Sequence, residues 1–265
     1  MRIKFLGTGT SHGVPPVDCM LSNYAKCPTG ICRKALIRPG LQRTRSSVLV
    51  DTNEGSILID VSPEFRMQVL KNRVKDIDAV LITHPHADHI GGIPDIRSYT
   101  SIDKPVPVFG SEEALECIER YFPYIFDSDA FEGGGIPRIT TEPIKGDRII
   151  LGKRVVPVPV FHSTLKEPLG YRIGDFGYIP DVKAFKQGSI ELLRGVEVLV
   201  MDALRREYPH PTHVILPESL EIARSIGPKR CYFTHISHGI DPEVDGRELE
   251  NWISFAYDGL EIECG

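Results

Sequence analysis

Residues 84–89 place three histidines and an aspartate within six positions, in the order His-Pro-His-Ala-Asp-His. The apolar run 77–82 before them is typical of a buried strand, and two glycines follow where a helix can begin. Zn²⁺, Mn²⁺ and Fe²⁺ all accept imidazole nitrogen and carboxylate oxygen as ligands. In an extended turn His84 and His86 point the same way and can share one metal, while Asp88 and His89 face a neighbouring one. The segment therefore predicts a metal site at the end of a strand.

The composition narrows the class of protein. The chain has 265 residues, 41% of them hydrophobic, which is enough for one large buried core. A formal net charge of −5 provides no overall basic field that would attract a large nucleic acid or a membrane surface. No apolar run approaches the roughly 20 residues of a membrane-spanning helix. The six cysteines are not spaced like a disulfide framework, so we expect a cytoplasmic protein.

Strand and helix patterns run along the chain without a polar linker, which predicts a single domain, 1–265, of two packed sheets with helices outside. The segment 18–45 is predicted to be irregular. Residues 121–138 are aromatic and then glycine-rich, and they fit a substrate lid and a packed surface loop about equally. The predicted strands are 2–6, 48–51, 56–60, 77–82, 106–109, 148–151, 154–161, 169–174, 176–179, 196–201, 230–234 and 260–263; the predicted helices are 62–72, a segment capped by Ser111, 189–194, 217–225 and 246–256.

Three further residues of the ligand type end predicted strands. His162, Asp181 and His235 each follow a strand pattern, at a position where a rigid sheet edge can aim a side chain. A single histidine at a strand end is more often a hydrogen-bonded residue than a ligand. The three together are more informative than any one of them.

The pattern H-x-H-x-D-H resembles the signature of the metallo-β-lactamase superfamily, and the three strand-end residues follow in the order that the superfamily shows. The resemblance implies a four-layer αββα sandwich of the α/β (α+β) class with two metals at one edge of the sheets. It also implies that Asp181 bridges the metals, although Pro180 and Val182 flank it where the family often has other residues. The implied ligands are His84, His86 and His162 on one metal, and Asp88, His89 and His235 on the other.

A pair of divalent metals about 3.5–4 Å apart predicts hydrolysis by a shared hydroxide, because coordination lowers the pKa of water to about 7. Asp88 can orient this nucleophile in addition to binding a metal. A general acid should protonate the leaving oxygen from the opposite side. His213 is the candidate acid, since it precedes the final ligand strand where PhnP-type members carry a catalytic histidine, and His210 is the second choice.

A second metal site is predicted from Cys19, Cys27, Cys32 and His238. Three thiolates and one imidazole form a closed tetrahedral zinc site of the structural kind, within a loop of about 18–45. The PhnP-type phosphodiesterases have a similar auxiliary zinc, with cysteines in a C-x-C-x₂-C pattern and a histidine in T-H-I-S-H. Here the cysteines are spaced C-x₇-C-x₄-C, and small buried or free thiols are the alternative. The other three cysteines have the pattern of ordinary core or terminal residues.

The resemblance to PhnP-type enzymes implies a metal-dependent phosphodiesterase that acts on small or cyclic phosphodiesters. The metals can be Zn²⁺ or Mn²⁺, and Fe²⁺ also suits the ligands. A tRNase Z-like nuclease, a lactonase or thioesterase, and a non-catalytic carrier of the PqqB kind are the alternatives. The acidic net charge argues against a large nucleic acid as substrate. The natural substrate and the oligomeric state, with a homodimer as one option, are left open.

Overall fold

The structure is a computed structural model that describes residues 1–127 and 135–265. Two β-sheets account for the strands of this part of the chain. The strands are β1 Arg2–Gly7, β2 Ser47–Asp51, β3 Ser56–Ile59, β4 Ala79–Leu81, β5 Val106–Gly110, β6 Ile139–Pro143, β7 Arg148–Ile150, β8 Lys153–Phe161, β9 Leu169–Ile173, β10 Phe176–Ile179, β11 Ala184–Phe185, β12 Val198–Asp202, β13 Arg230–Thr234, β14 Ile253–Phe255 and β15 Glu261–Glu263.

The helices lie between these strands. The α-helices are α1 Val17–Leu21, α2 Ile31–Ile37, α3 Phe65–Asn72, α4 Ala87–Ile90, α5 Glu112–Tyr121, α6 Pro123–Phe126, α7 Ser189–Leu192, α8 Leu216–Ile226 and α9 Pro242–Asp245; the 3₁₀ segments are Pro39–Leu41, Ile93–Tyr99 and Gly246–Glu248. As predicted, Ser111 caps α5, because its side chain accepts a hydrogen bond from the backbone N–H of Ala114 at 3.2 Å. Among the described helices, none combines the length and the apolar character required to span a bilayer.

The first sheet has the strand order β15-β1-β2-β3-β4-β5-β6, and the second has the order β11-β8-β9-β10-β12-β13-β14 with β7 paired to β8. Each sheet combines antiparallel strands with a parallel block, formed by β3 to β6 in one sheet and by β10, β12, β13 and β14 in the other. Parallel strands point their carboxyl ends to the same edge. The residues that follow β4, β10 and β13 therefore lie at that edge.

The core consists of three apolar layers. One layer lies between the sheets, where Val50 and Leu81 of the first sheet belong to one cluster with Tyr171 and Val200 of the second. The other two lie outside each sheet, beneath helices such as α5 and α8. These layers confirm the predicted αββα sandwich.

Two secondary-structure predictions are wrong. Residues 246–256 were expected to be a helix, but Ile253–Phe255 forms β14, because pairing with the free edge of β13 outweighs the local helical pattern. The segment 18–45 is not wholly irregular, since it contains the short helices α1 and α2. Their buried residues Cys19, Ile31 and Cys32 form a small cluster with Val14. The candidate lid at 121–138 lies partly outside the described residues, and α6 is its described helical part.

Candidate dinuclear metal centre

Seven residues predicted from the sequence as metal ligands converge at one edge of the two sheets. His84 and His86 follow β4, and Asp88 and His89 lie further along in the short helix α4. The other three each follow the end of a strand of the second sheet, as predicted; they are His162 after β8, Asp181 after β10 and His235 after β13. The turn after β4 is tied to the second sheet, because the buried Tyr171 hydroxyl donates a hydrogen bond to the carbonyl of Ile82 at 2.6 Å.

The first group of donor atoms comes from three histidines. His84 Nε2 lies 2.9 Å from His86 Nδ1, and His162 Nε2 lies 3.2 Å from the same atom. Zn–N bonds of about 2.0–2.1 Å around a tetrahedral ion place neighbouring nitrogens roughly 3.3 Å apart. The three nitrogens therefore have the spacing of ligands that share one ion.

The second group contains Asp88, His89 and His235. Asp181 lies between the two groups, with Oδ2 3.1 Å from His89 Nε2 and Oδ1 3.2 Å from His235 Nε2. Asp181 Oδ1 also lies 3.9 Å from His162 Nε2 in the first group. The carboxylate is in the position that a bridging ligand would occupy.

The donor atoms of this second group lack the partners that buried polar atoms normally have. His89 Nε2, His235 Nε2 and Asp181 Oδ2 are fully buried and make no hydrogen bond with the described residues. Their short separations do not have hydrogen-bond geometry, which is the arrangement expected of atoms that face a common cation. The residues present thus fit the two divalent metals that the fold family implies.

The pKa shifts in the site show that its buried carboxylates require a compensating positive charge. Burial opposes a charged His89, but the carboxylates of Asp88, Asp181 and Asp60 raise its pKa well above the usual range. Burial likewise opposes a charged Asp181, yet His235 and His89 lower the pKa of its carboxyl well below the usual range. Protons on the histidines compensate the negative charge of the buried carboxylates, and a divalent cation can replace these protons.

Two buried residues that sequence reasoning missed orient the ligands. Asp60 Oδ2 lies 2.7 Å from His89 Nδ1, and the Thr83 hydroxyl lies 3.0 Å from His84 Nδ1. Asp60 also accepts the backbone N–H of Thr83 at 2.8 Å. Outer contacts of this kind fix the tautomer of a histidine that binds a metal. Asp60 and His235 have positive φ angles of 62° and 54°, which is strained backbone of the kind that clusters at functional sites.

His213 lies against the centre, as predicted for a candidate acid. Its ring stacks on His235 with a centroid distance of 4.8 Å, and its Nδ1 lies 2.7 Å from Asp202 Oδ2. Asp202 is a further residue that sequence reasoning missed. Both Asp60 and Asp202 are acids at the end of buried strands, so the strand-end rule that selected Asp181 could have found them.

His210, the second choice for the acid, is in ring contact with His213 at a centroid distance of 5.2 Å. Its Nδ1 accepts a hydrogen bond from the backbone N–H of Thr212 at 3.3 Å. Burial lowers its pKa, and the positive charges of neighbours such as Arg205 lower it further. His210 thus contacts His213, which in turn contacts the candidate ligand His235, and both His210 and His213 line a cavity.

The predicted zinc ligands also converge. Cys19 Sγ lies 2.9 Å and Cys32 Sγ lies 3.6 Å from His238 Nδ1, and the donor atoms of all four residues lie within 4.8 Å of one another. Zn–S bonds of about 2.3 Å imply sulfur separations of roughly 3.8 Å in a tetrahedral site. Burial raises the pKa of Cys19 and Cys32, so a bound cation is what would favour their thiolates. The donor set and its spacing fit one closed zinc site.

A cavity of about 550 Å³ lies between the two candidate metal sites. His213 and His235 line one end, and Thr29 and His238 line the other. Residues 10–13 form part of the wall. A volume of this size is in the range of small-molecule sites, roughly 300–1,000 Å³.

Comparison with known proteins identifies the family. The model described as "Beta-lactamase superfamily domain" matches residues 56–236. The chain belongs to the metallo-β-lactamase superfamily. The hydrolase fold and the relation to PhnP-type members, which the sequence motif predicted, are confirmed for this superfamily member.

The individual relatives carry several different functional names. A crystal structure of a diphosphatase from the PhnP family is 35% identical, has a TM-score of 0.86, and is matched over 100% of this chain and 98% of that one. A ribonuclease Z of Methanopyrus kandleri is 29% identical over 84% of this chain and 93% of its own length. An octanoyltransferase of Porphyromonas gingivalis is 32% identical over 98% of this chain. The chain spans about half of that protein, 51% of its length.

Proposed function

We propose that this metallo-β-lactamase superfamily member is a metal-dependent phosphodiesterase that acts on small or cyclic phosphodiesters with two divalent metals. The convergence of Asp181 with both groups of donor atoms carries the proposal, because a shared carboxylate is what a dinuclear site requires. The 35% identity to a diphosphatase of the PhnP family supports a phosphate ester as substrate. Zn²⁺ or Mn²⁺ is the expected metal, and Fe²⁺ suits the same ligands.

Two divalent metals held by these residues would supply Lewis acidity for the phosphoryl oxygens and an activated water as the nucleophile. The role of Asp88 is to orient that water, because its carboxylate lies at the half-buried side of the second group. Asp88 Oδ2 is 3.3 Å from His89 Nε2 and 3.7 Å from His235 Nε2. A carboxylate there can accept a hydrogen bond from the attacking water while it binds a metal.

The proposed role of His213 is to deliver a proton to the leaving oxygen. Its Nδ1 lies 2.7 Å from Asp202 Oδ2 and is occupied by that hydrogen bond, so Nε2 is the nitrogen that can serve the substrate. His213 lines the cavity, where the leaving group can be accommodated. Proton transfer of this kind contributes typically about 10²–10⁴-fold to a rate.

We also propose one structural zinc at Cys19, Cys27, Cys32 and His238. His235 and His238 are separated by two residues, and Thr29 donates a hydrogen bond from its hydroxyl to the carbonyl of His238 at 2.9 Å. A zinc at this position would connect helices α1 and α2 to the segment that carries His235.

The experiment that tests the function combines elemental analysis with turnover of bis-p-nitrophenyl phosphate. Wild-type protein should contain two metals at the centre and hydrolyse the diester. His86→Ala should lose turnover and at least one metal. His12→Ala is the matched control for metal content, because the exposed His12 belongs to neither group of ligands.

A panel of other substrates separates the alternatives. Turnover of a thioester or a lactone in place of phosphodiesters would assign a different hydrolase activity. Salt-dependent binding and cleavage of a precursor tRNA would favour the activity named for the Methanopyrus relative. A fully metal-loaded protein that turns over none of these would favour a carrier.

A further inference from the structure

Arg205 and Arg206 both line the cavity, but their charges are compensated differently. Arg206 forms ion pairs with Asp245 and Glu248. Arg205 forms no ion pair with any carboxylate among residues 1–127 and 135–265; its partners are backbone carbonyls, at 2.7 Å for Tyr208 and 3.0 Å for Pro209. A guanidinium bound only to neutral acceptors keeps its full charge for another partner.

The contacts of Arg205 also fix its position. Its two hydrogen bonds close the loop 205–209 onto itself, around Tyr208, whose φ of 63° is in the left-handed region. A non-glycine residue in that region is strained, and the carbonyl contacts hold the loop in this shape. The two carbonyl contacts, both at the protein surface, hold the cation in one position at the cavity wall.

The residues around Arg205 on the cavity wall add little negative charge. Arg205 shares this wall with His210 and His213. Glu207 is the one acidic residue among the described residues that line the cavity, and its side chain is exposed. The cavity wall around Arg205 thus carries no buried carboxylate among the described lining residues, and the buried Asp202 and Asp181 face His213 from behind that wall.

We propose that Arg205 binds a second anionic group of the substrate, a phosphate carried by the leaving group. The inference rests on the proposed phosphodiesterase function and specifies its substrate class. The cavity lies on the His213 side, so the portion of the substrate that departs enters it. A sugar phosphate or a nucleoside monophosphate is a leaving group of this kind. Water forms the new bond to the attacked phosphorus and loses a proton, while the P–O bond to the leaving group breaks, which is an ester bond in a diester and the anhydride bond in a diphosphate such as ADP-ribose. The departing oxygen takes up a proton or leaves as a phosphate anion.

The test compares a substrate that has a phosphorylated leaving group with one that does not. ADP-ribose, which releases a nucleotide or a sugar phosphate, represents the first, and bis-p-nitrophenyl phosphate represents the second. Arg205→Met should raise KM for ADP-ribose about 10- to 100-fold, since a charged hydrogen bond contributes about 1.5–3 kcal/mol. It should leave kcat/KM for the p-nitrophenyl ester within about twofold. Equal effects on both substrates, or no effect on either, would overturn the assignment.

Two further variants separate charge from loop structure. Arg205→Lys keeps the charge but cannot make both carbonyl contacts, so it should recover much of the affinity for ADP-ribose that Arg205→Met loses. Arg206→Met removes an adjacent but ion-paired charge, and it should lower the Tm without a selective change in KM. If Arg205→Lys fails as completely as Arg205→Met, with an equal loss of Tm, the residue is structural and the proposal is wrong.

A binding experiment tests the anion site even if ADP-ribose is not hydrolysed. AMP should bind to the metal-loaded wild-type protein in calorimetry and should bind about tenfold more weakly to Arg205→Met. If the p-nitrophenyl ester is not hydrolysed but AMP binding depends on Arg205, the proposed function fails and the anion site stands. If the ester is hydrolysed and AMP binds equally well to both proteins, the anion site fails and the function stands.

Discussion

Asp202 Oδ2 lies 2.7 Å from His213 Nδ1, within hydrogen-bond distance, and the side chain of Asp202 is wholly buried. Burial raises the pKa of this carboxyl well above its usual range, although His235 opposes the shift. The carboxyl also accepts the backbone N–H of Val182, next to Asp181, at 3.3 Å. One side chain thus positions both the candidate acid and the backbone beside the candidate bridging ligand.

We expect Asp202→Asn to lower kcat for bis-p-nitrophenyl phosphate by roughly 10²-fold with little change in KM, because the amide can donate to His213 Nδ1 and favour the wrong tautomer. Steady-state kinetics of Asp202→Asn, His213→Gln and the double variant would measure this. If the two residues act together, the double variant should be little worse than His213→Gln alone. A double variant whose losses multiply in full would show that the two act separately.

Asp60→Asn should weaken binding of the metal at His89 by about 10- to 100-fold, because the variant loses the carboxylate that holds His89 Nδ1. Competition with a metal-chelating dye gives the affinity directly. Asp147→Asn is the control, since Asp147 is exposed and ion-paired with Arg154, outside the site. Equal metal affinity in Asp60→Asn and the control would contradict the prediction.

Cys32→Ser should remove one zinc per chain and lower the Tm by roughly 6–12 °C, which corresponds to about 3 kcal/mol for a domain of this size. Elemental analysis and calorimetry would measure the two effects. Chelation of wild-type protein should cause a decrease in Tm of at least that size. Cys117 lies outside the cluster of Cys19, Cys27, Cys32 and His238, so Cys117→Ser should retain the zinc. Loss of zinc from both variants, or from neither, would argue against the site.

The pair of Asp78 and Lys104 should contribute stability that depends on pH. Burial opposes ionisation of Asp78, but Lys104 at 2.8 Å and the backbone N–H of Ser56 at 3.0 Å lower the pKa of its carboxyl below 3.8. A lowered pKa in the folded state stabilises the protein above the unfolded value, and this contribution is lost as the pH falls through the folded value. Lys104→Met should therefore lower the Tm at about pH 7, and the difference from wild type should shrink towards about pH 3. A difference that grows on acidification would contradict the assigned sign.

The locations of the candidate ligands were predictable because each depends on a local pattern. A buried strand followed by a histidine-rich turn is encoded within about a dozen adjacent residues, and so is a single His or Asp at a strand end. The strand β14 was not predictable in the same way, because Ile253–Phe255 is a strand only through its pairing with β13. The same strand-end pattern marks Asp60 and Asp202, but their roles depend on tertiary contacts to His89 and His213, which no local pattern specifies.

The sequence alone determined the superfamily, the two-sheet architecture and the residues that are candidates for holding metal, since motif spacing and hydrophobic periodicity are properties of the local chain. Only the tertiary structure decided which nitrogen of each histidine faces the others, which acids orient them, and that Arg205 keeps an uncompensated charge in a cavity. These features arise from contacts between residues far apart in the chain. The physical reason is that burial, hydrogen-bond partners and charge compensation are fixed only when the two sheets pack together.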